Sequence, residues 1–295
     1  MGKKRLIGLI VLGLGGLLII SGSALLRDTD TDIDTENSKK AELLITPTPV
    51  SVPVSVPVSP TPTPTPIPLP DPKVYGPCKN IPAILYHHIQ PLEEAMAKNQ
   101  KNISVTNDSF TNQMAYLAGK GYTTLTPDQL LAGLTGTLPG KPILITFDDG
   151  YRDFYTYAYP ELVKNNLAAT VFIVTGLVGG ADYLTWDQIR EMAGSGLITF
   201  ANHTWSHKNL SSADEEKLKY EVRTAQEQLE DRGLGPVTAF AYPYGTQTKA
   251  SEEVFKELGI KTAFTTIPGS YQCAKLPYAM RRSRIGNSPM SAYGF

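Results

Sequence analysis

Two adjacent carboxylates, Asp148 and Asp149, end an apolar run in the segment PILITFDDGY, residues 142–151. Its Ile, Leu and Phe residues predict a buried strand. Neighbouring anions at the end of such a strand repel each other and lose hydration, so a nearby cation is expected to offset both effects. One aspartate would bind a divalent metal ion, and the other would take a proton from the attacking water. The alternative, an aspartate that caps the next helix, accounts for only one of the two.

The four histidines of the chain form two short clusters, His87 with His88 and His203 with His207. The i, i+4 spacing of His203 and His207 places both imidazoles on one face of a helical turn, as two ligands of one metal ion require. A carboxylate would complete a two-His, one-acid site, for which zinc is suited and cobalt, nickel or iron also fit. An isolated HxxxH more often lies on a helix surface, but the DDG segment favours the metal site.

Apolar strands alternate with helices from residue 73 onward, which predicts an α/β fold with a parallel sheet, and this length favours a barrel. The predicted strands are residues 81–86, 143–147, 169–174, 197–201, 238–242 and 262–266. Capping residues predict helix starts at Asp108, Thr126, Thr185 and Ser212. Both histidine pairs, the DDG segment and a PYG segment (243–245) each follow a strand. The C-terminal strand ends of a barrel surround one mouth, so these clusters are expected to meet in an active site.

The first 72 residues do not have the pattern of a folded domain. Residues 6–26 carry no charge, and at ~1.5 Å per helical residue they match the thickness of a bilayer core. The basic residues before them favour a cytoplasmic N-terminus, so residues 1–26 are predicted to be a membrane anchor with the rest of the chain outside. A cleaved signal peptide is the alternative and would give a secreted protein. Residues 27–72, acidic and Thr-rich and then Pro-rich, predict a disordered linker to a catalytic domain at 73–295.

Three motifs resemble those of the polysaccharide deacetylases, carbohydrate esterase family four: TFDDGY, HTWSH and FAYPYG. YHHI, LTWDQIREMAGSGL and SRI are similar to the subgroup that contains the poly-N-acetylglucosamine deacetylases, and the similarity covers about residues 79–287. The resemblance implies a distorted (β/α) barrel of about seven strands that removes acetyl groups from N-acetylated sugars with the help of a metal ion. By matching position it implies that Asp148 is the general base and that Asp149, His203 and His207 bind the metal.

The third motif departs from the family pattern at Ala241, which stands where the family's motif starts with an arginine that orients the base. The candidate substitutes are Arg284 and its neighbours Arg281 and Arg282. The resemblance also implies that the backbone N–H of Tyr244 helps to hold the oxyanion, and that Tyr242, Pro243 and Tyr244 wall the sugar groove. Core packing beside a tight turn is the alternative for these residues.

The late histidine that serves this family as general acid has no counterpart, because no histidine follows His207. The amine leaving group still requires a proton, and histidine titrates near neutral pH. Alternation along a strand sends adjacent side chains to opposite sides, so one of His87 and His88 is expected to face the mouth. His87 directly follows LY and matches the subgroup's histidine by position, so the resemblance implies that His87 donates the proton, with His88 as the alternative.

Cys78 precedes the first predicted strand and Cys273 follows the last. Barrel closure would make those strands neighbours, and an extracellular location permits a disulfide. The two cysteines are predicted to be bridged, with two free thiols as the alternative.

These features predict a deacetylase at a bacterial cell membrane that acts on an N-acetylglucosamine-containing wall or surface polysaccharide. The alternatives are a catalytically impaired glycan-binding module of the same fold, a polysaccharide O-acetyl esterase and a non-haem iron enzyme. The net charge of −1, from 27 basic and 28 acidic residues, argues against a nucleic-acid partner. The catalytic domain is expected to be monomeric.

Overall fold

The structure, a computed structural model, describes residues 70–295. The predicted membrane anchor at 1–26 and almost all of the predicted linker at 27–72 lie outside the described residues. Within residues 70–295, no helix has the length and apolar character needed to cross a membrane.

Short strands alternate with helices along the described chain. The strands are β1 Cys78–Asn80, β2 Ala83–Tyr86, β3 His88–Ile89, β4 Ser104–Val105, β5 Thr123–Thr124, β6 Pro142–Phe147, β7 Ala169–Ile173, β8 Ile198–Asn202, β9 Ala239–Ala241, β10 Thr262–Phe264, β11 Tyr271–Cys273 and β12 Ser283–Arg284. The α-helices are α1 Pro72–Tyr75, α2 Leu92–Ala97, α3 Asn107–Gly119, α4 Pro127–Thr135, α5 Tyr159–Lys164, α6 Trp186–Gly194, α7 Glu215–Glu230 and α8 Lys249–Leu258.

The main sheet is parallel and curled. Its strands follow the order β10-β9-β8-β7-β6-β2-β12, and β5 pairs with the start of β6. The α/β class and the parallel pairing agree with the prediction. The sheet forms a half-barrel, because the path of paired strands stops at β10 on one edge and at β12 on the other.

The segment 277–282 lies between the two edge strands. The N–H groups of Ala263 and Thr265 donate to the carbonyls of Pro277 and Met280, at 2.8 and 2.9 Å. The chain then continues into β12, which pairs with β2. This irregular segment, which is not a full strand, distorts the barrel and places Arg282 between its edges.

The two sides of the sheet are packed differently. On β6, Ile143 and Ile145 belong to a large apolar cluster that includes Met114 of α3 and Met192 of α6. Leu144 belongs instead to a second apolar cluster, which includes four alanines and lies on the inner side of the curl. Alternation along the strand therefore places Thr146 and Asp148 on the inner side, with Leu144.

Two of the predicted helix starts are confirmed, and two are wrong. Thr126 and Thr185 each form a capping box with the glutamine three residues later. Thr106, and not Asp108, caps α3, because its extended backbone lets the side chain accept from Ser109 N–H. Asp214, and not Ser212, caps α7, where it accepts from Lys217 N–H at 2.7 Å.

Cys78 and Cys273 form a disulfide. They are direct partners in a small antiparallel pair, β1 with β11, which is separate from the main sheet. The bridge joins positions 195 residues apart, and closing a loop of that length stabilises a fold by up to ~4–5 kcal/mol in the chain-entropy model.

Candidate active site

The polar clusters of the sequence lie side by side at one mouth of the curled sheet. Asp148 directly follows β6, and its N–H donates to the carbonyl of Tyr86, the last residue of β2, at 3.0 Å. His203 follows β8, and its N–H donates to the carbonyl of Ile173 in β7, also at 3.0 Å. The PYG segment follows β9 as a 3-10 turn, Pro243–Gly245. Together with the pairing of β8 and β9, these bonds place the ends of five parallel strands, β2, β6, β7, β8 and β9, around one site.

Asp149, His203 and His207 form a group of candidate metal ligands. One ligand atom from each lies within 4.8 Å of the others. Asp149 Oδ1 is 3.3 Å from His203 Nε2 and 3.1 Å from His207 Nε2. Asp149 and His203 are buried, while the His207 side chain is 26 % exposed. Two buried donors and one that reaches solvent leave a direction open for water and substrate, as in catalytic metal sites.

The protonation pattern of this group fits a divalent cation. His203 Nδ1 lies 2.6 Å from the carbonyl of Ala241 and donates to it, so in the neutral imidazole Nε2 is left with a lone pair directed at Asp149. Asp149 Oδ1 is buried and has no hydrogen-bond partner among the described residues. Facing lone pairs in a buried site repel unless a positive charge lies between them.

The electrostatics of the group point the same way. Burial opposes ionisation of Asp149, but the contacts with His203 and His207 hold the pKa of its carboxyl well below the usual range. Burial also disfavours charge on His203, yet the Asp148 and Asp149 carboxylates outweigh it and raise the pKa of that imidazole. A metal ion therefore competes with a proton for His203, and its affinity should increase as the pH rises.

Asp148 faces the same site but is bound by an arginine. Arg282 Nη1 and Nη2 donate to the two carboxylate oxygens of Asp148, at 2.6 and 2.7 Å. Arg282 Nε donates to the carbonyl of Thr265 at 3.0 Å, which fixes the plane of the guanidinium. Burial alone would raise the pKa of the Asp148 carboxyl, but the Arg282 charge holds it below its usual value. Asp148 is therefore ionised near neutral pH, as a general base must be.

The structure corrects the arginine assignment. Arg282, and not Arg284, binds Asp148. Both have the same parity along the strand, but Arg282 is fully buried and lies deeper in the sheet, whereas Arg284 is exposed. The sequence motif placed the arginine that orients the base only within the four residues 281–284. The burial of each side chain in the structure identifies it as Arg282.

Arg282→Met tests whether this arginine orients Asp148, because methionine keeps a long side chain but removes the charge and the hydrogen bonds. Burial of Asp148 remains while the compensating charge is lost, so the pKa of its carboxyl rises and the acidic limb of kcat/KM moves to higher pH. Turnover at neutral pH should also fall by roughly 10- to 100-fold, because the base is no longer held in one position. Arg284→Met is the matched control, and a pH profile that moves equally in both variants would contradict the assignment.

The two adjacent histidines face different surroundings. His87 is four residues after Ala83, so strand alternation places both side chains on the inner side of the sheet. The His87 Nδ1 atom is buried and has no hydrogen-bond partner among the described residues. Burial lowers the pKa of His87, although Asp148 and Asp149 oppose this. His88 points away, where its Nδ1 contacts Asp153 and its ring stacks on Tyr151 at 3.6 Å. This geometry favours His87 over His88 as a proton donor at the site.

The third motif contributes one exposed aromatic side chain. The Tyr244 side chain is 66 % exposed, with its ring 4.8 Å from that of His207. The expectation that Tyr242 walls a sugar groove is wrong: it is 1 % exposed, packs on Phe240 and Phe255, and donates its hydroxyl to the Tyr278 carbonyl. Pro243 is buried as well. Strand alternation directs Tyr242 outward, and only the turn after it reaches the mouth.

Backbone strain is concentrated at this mouth. Four of the seven non-glycine residues with positive φ in residues 70–295 lie here: Asp149, Thr204, His207 and Tyr244. Left-handed conformations cost non-glycine residues about 1–3 kcal/mol each and persist only where the surroundings enforce them. The metal-ligand candidates are therefore held in place by contacts outside the group itself.

Comparisons with known proteins agree with the motifs. The family model described as polysaccharide deacetylase matches residues 135–263. The polysaccharide deacetylase-like protein YxkH of Bacillus subtilis (strain 168) is 31% identical over 209 residues, which cover 70% of this chain and 71% of that protein. The poly-β-1,6-N-acetyl-D-glucosamine N-deacetylase of Escherichia coli (strain K12) is 27% identical over 251 residues, 70% of this chain and 37% of that protein.

A solved structure supports the fold. The Streptococcus pyogenes deacetylase PplD, in complex with acetate, superposes with a TM-score of 0.67 at 29% sequence identity. The match covers 72% of this chain and 96% of that one. This chain therefore shares its fold, over the matched residues, with a deacetylase of known structure.

Proposed function

Since the chain belongs to the polysaccharide deacetylase family, whose members are hydrolases, we propose that it removes acetyl groups from N-acetylglucosamine residues of an extracellular polysaccharide in a metal-dependent reaction. The observation that carries the proposal is that two adjacent aspartates have different partners. Asp148 is bound by Arg282, and Asp149 faces two imidazole nitrogens. This arrangement would provide a base and a cation site next to each other, as metal-assisted amide hydrolysis requires.

The relatives and the open side of the site support a proposal for the substrate class. A similar protein is named for its action on poly-β-1,6-N-acetyl-D-glucosamine. The exposed ring of Tyr244 beside His207 offers a flat apolar surface, of the kind against which sugar rings stack. We therefore propose a polymer of N-acetylglucosamine in the cell wall or at the cell surface as the substrate.

The chain's own residues would divide the reaction into four tasks. A divalent cation, most suitably zinc, held by Asp149, His203 and His207 would supply a Lewis acid that polarises the acetamide carbonyl and acidifies water. Asp148 accepts the proton of the attacking water, because each of its oxygens has a lone pair free beyond its bond to Arg282.

The other two tasks fall to opposite sides of the mouth. The Tyr244 N–H donates to the oxyanion that forms on the acetyl carbonyl. His87 donates a proton to the amine as the C–N bond breaks, since an amine leaves poorly unless it is protonated.

His87→Ala tests the assignment of the acid. Turnover on acetamido sugars should fall by roughly 10²-fold or more, the usual contribution of a general acid. An aryl acetate ester should lose far less, because its phenolate leaves without protonation. Bound metal should be unchanged, and His88→Ala serves as the comparison. Equal losses on amide and ester, or an inactive His88→Ala beside an active His87→Ala, would reject His87.

We propose that residues 1–26 anchor the catalytic domain in the membrane and that residues 27–72 extend it from the surface. The support is the uncharged stretch at 6–26 and the 11 prolines among residues 47–72. Fractionation of cells that express the full chain tests this directly. The domain should be found with membranes and be cleaved by protease added to intact spheroplasts, and recovery in the soluble cytoplasmic fraction would reject the anchor.

The function itself is tested by acetate release from a glycan panel: poly-β-1,6-N-acetylglucosamine, peptidoglycan and chitin oligomers, with an O-acetylated xylan as the ester control. Time-dependent acetate release from at least one N-acetylated polymer is expected. Release from the O-acetylated polymer alone would favour the esterase alternative, and binding without release from any substrate would favour the glycan-binding module.

A further inference from the structure

We infer that Glu221 of α7 is a positioning residue that sets the conformation of the loop carrying His203 and His207. This inference rests on the proposed function, because it concerns residues proposed to bind a metal ion. Glu221 lies outside the three sequence motifs and outside the ligand group, and its side chain is fully buried.

The Glu221 carboxylate is bonded to the residue that precedes His207. Oε2 accepts the backbone N–H of Ser206 at 2.8 Å, and Oε1 accepts the Ser206 hydroxyl at 2.7 Å. The backbone carbonyl of Glu221 also accepts the N–H of Trp205, at 3.0 Å. Three bonds from one helix residue therefore fix two consecutive residues between the two histidines.

The loop needs such support because its backbone is strained. Thr204 has a φ of 69° and His207 a φ of 60°, both in the left-handed region. Asn202 Oδ1 accepts from Thr204 N–H at 2.8 Å and supports the first of them. Glu221 is the corresponding support next to the second, since it binds the residue immediately before His207.

Burial of this carboxylate is otherwise difficult to account for. A buried carboxylate loses several kcal/mol of hydration in real proteins, which must be offset by hydrogen bonds and a positive charge. Here the two bonds from Ser206 and the Lys217 ammonium, 3.1 Å from Oε1, provide the compensation. A helix needs no such group to pack on a sheet, so its placement under the loop indicates a role in ligand geometry.

The test is the affinity of the metal-free protein for Zn²⁺, measured by competition with a chromogenic chelator. Glu221→Ala should weaken binding by about 10- to 100-fold, the usual effect of removing an outer-shell partner of a metal ligand. Glu221→Gln should stay within a few-fold of wild type, because a glutamine can accept from Ser206 N–H and donate to its hydroxyl oxygen. Glu221→Ala should also bind Co²⁺ more weakly than wild type. The visible absorption band of its Co²⁺ complex should differ in shape from that of wild type.

Leu229→Ala is the matched control for stability. Leu229 is a fully buried core residue of the same helix, so its loss lowers the thermal midpoint without contacting the loop. Its Zn²⁺ affinity should equal that of wild type. If Glu221→Ala does not fold, Ser206→Ala, which removes one of the two bonds to the carboxylate, should weaken Zn²⁺ binding by a smaller factor.

The outcomes separate the two claims. A wild-type protein that binds Zn²⁺, with Glu221→Ala or Ser206→Ala binding it equally tightly, would overturn the positioning role and leave the proposed function intact. A similar loss of affinity in Glu221→Ala and Leu229→Ala would also overturn it, as an effect of stability alone. A wild-type protein that binds none of Zn²⁺, Co²⁺, Ni²⁺ and Fe²⁺ would remove the proposed function and this inference together.

Discussion

Asp148→Asn is expected to reduce turnover by roughly 10²-fold or more while one metal ion per chain stays bound, the loss expected for a missing general base. The amide has the shape of the carboxylate but cannot accept the proton of the attacking water. Arg282 still has an acceptor in the amide oxygen, although it loses the opposite charge in a buried site. Acetate release and metal content, measured on the same purified sample, test the expectation.

Two further measurements make this result interpretable. The folded fraction, from circular dichroism at the assay temperature, shows whether the uncompensated Arg282 destabilises the variant. Asp182→Asn is the control, because Asp182 forms only a half-exposed ion pair with Lys98. If Asp148→Asn loses metal in proportion to its activity, the roles of the two aspartates are reversed in our account.

Replacement of both His203 and His207 by alanine should abolish metal binding and activity together. Asp149 alone cannot retain a divalent ion against solvent, and His203 is the buried ligand whose Nδ1 is fixed by Ala241. The single His207→Ala variant should recover part of its activity in excess metal, because removal of one ligand lowers affinity without removing the site.

Metal analysis after dialysis checks this prediction. The comparison is His88→Ala, which removes a buried histidine that contacts Asp153 and lies outside the ligand group. That variant should keep its metal. Full metal stoichiometry in the His203→Ala/His207→Ala protein would show that the bound ion lies elsewhere.

The ligand group was predictable because its information is local in sequence. The apolar run before Asp148 fixes a strand end, and the HxxxH spacing indicates two ligands of one metal ion. The predicted helical turn is wrong, because residues 203–207 form a loop in which Thr204 and His207 have positive φ, but the loop still brings both imidazoles to Asp149. The rule that parallel strands place their C-terminal ends at one mouth then brought the two motifs together. Each step depends on neighbouring residues or on a general property of the fold, so a single sequence was sufficient.

The partners of these residues were less accessible, because they depend on depth and direction across the fold. Arg282 and Arg284 are two residues apart with the same parity, and only their depth in the sheet separates them. In the sequence, Glu221 has the pattern of an ordinary helix glutamate. The contact that distinguishes it is with Ser206, which lies 15 residues earlier in the chain. Tyr242 was misplaced for a related reason, since adjacency to a turn does not reveal on which side of the sheet a ring lies.

The most direct test of the account is reconstitution of the metal-free protein. Acetate release from poly-β-1,6-N-acetylglucosamine and bound metal should be measured together as Zn²⁺ is added to chelator-treated wild type and to Asp148→Asn. We predict that wild-type activity rises in proportion to occupancy and reaches its maximum at one ion per chain, while Asp148→Asn binds the same ion and stays inactive. Undiminished acetate release by the metal-free wild type, or full activity in the metal-loaded Asp148→Asn protein, would contradict it.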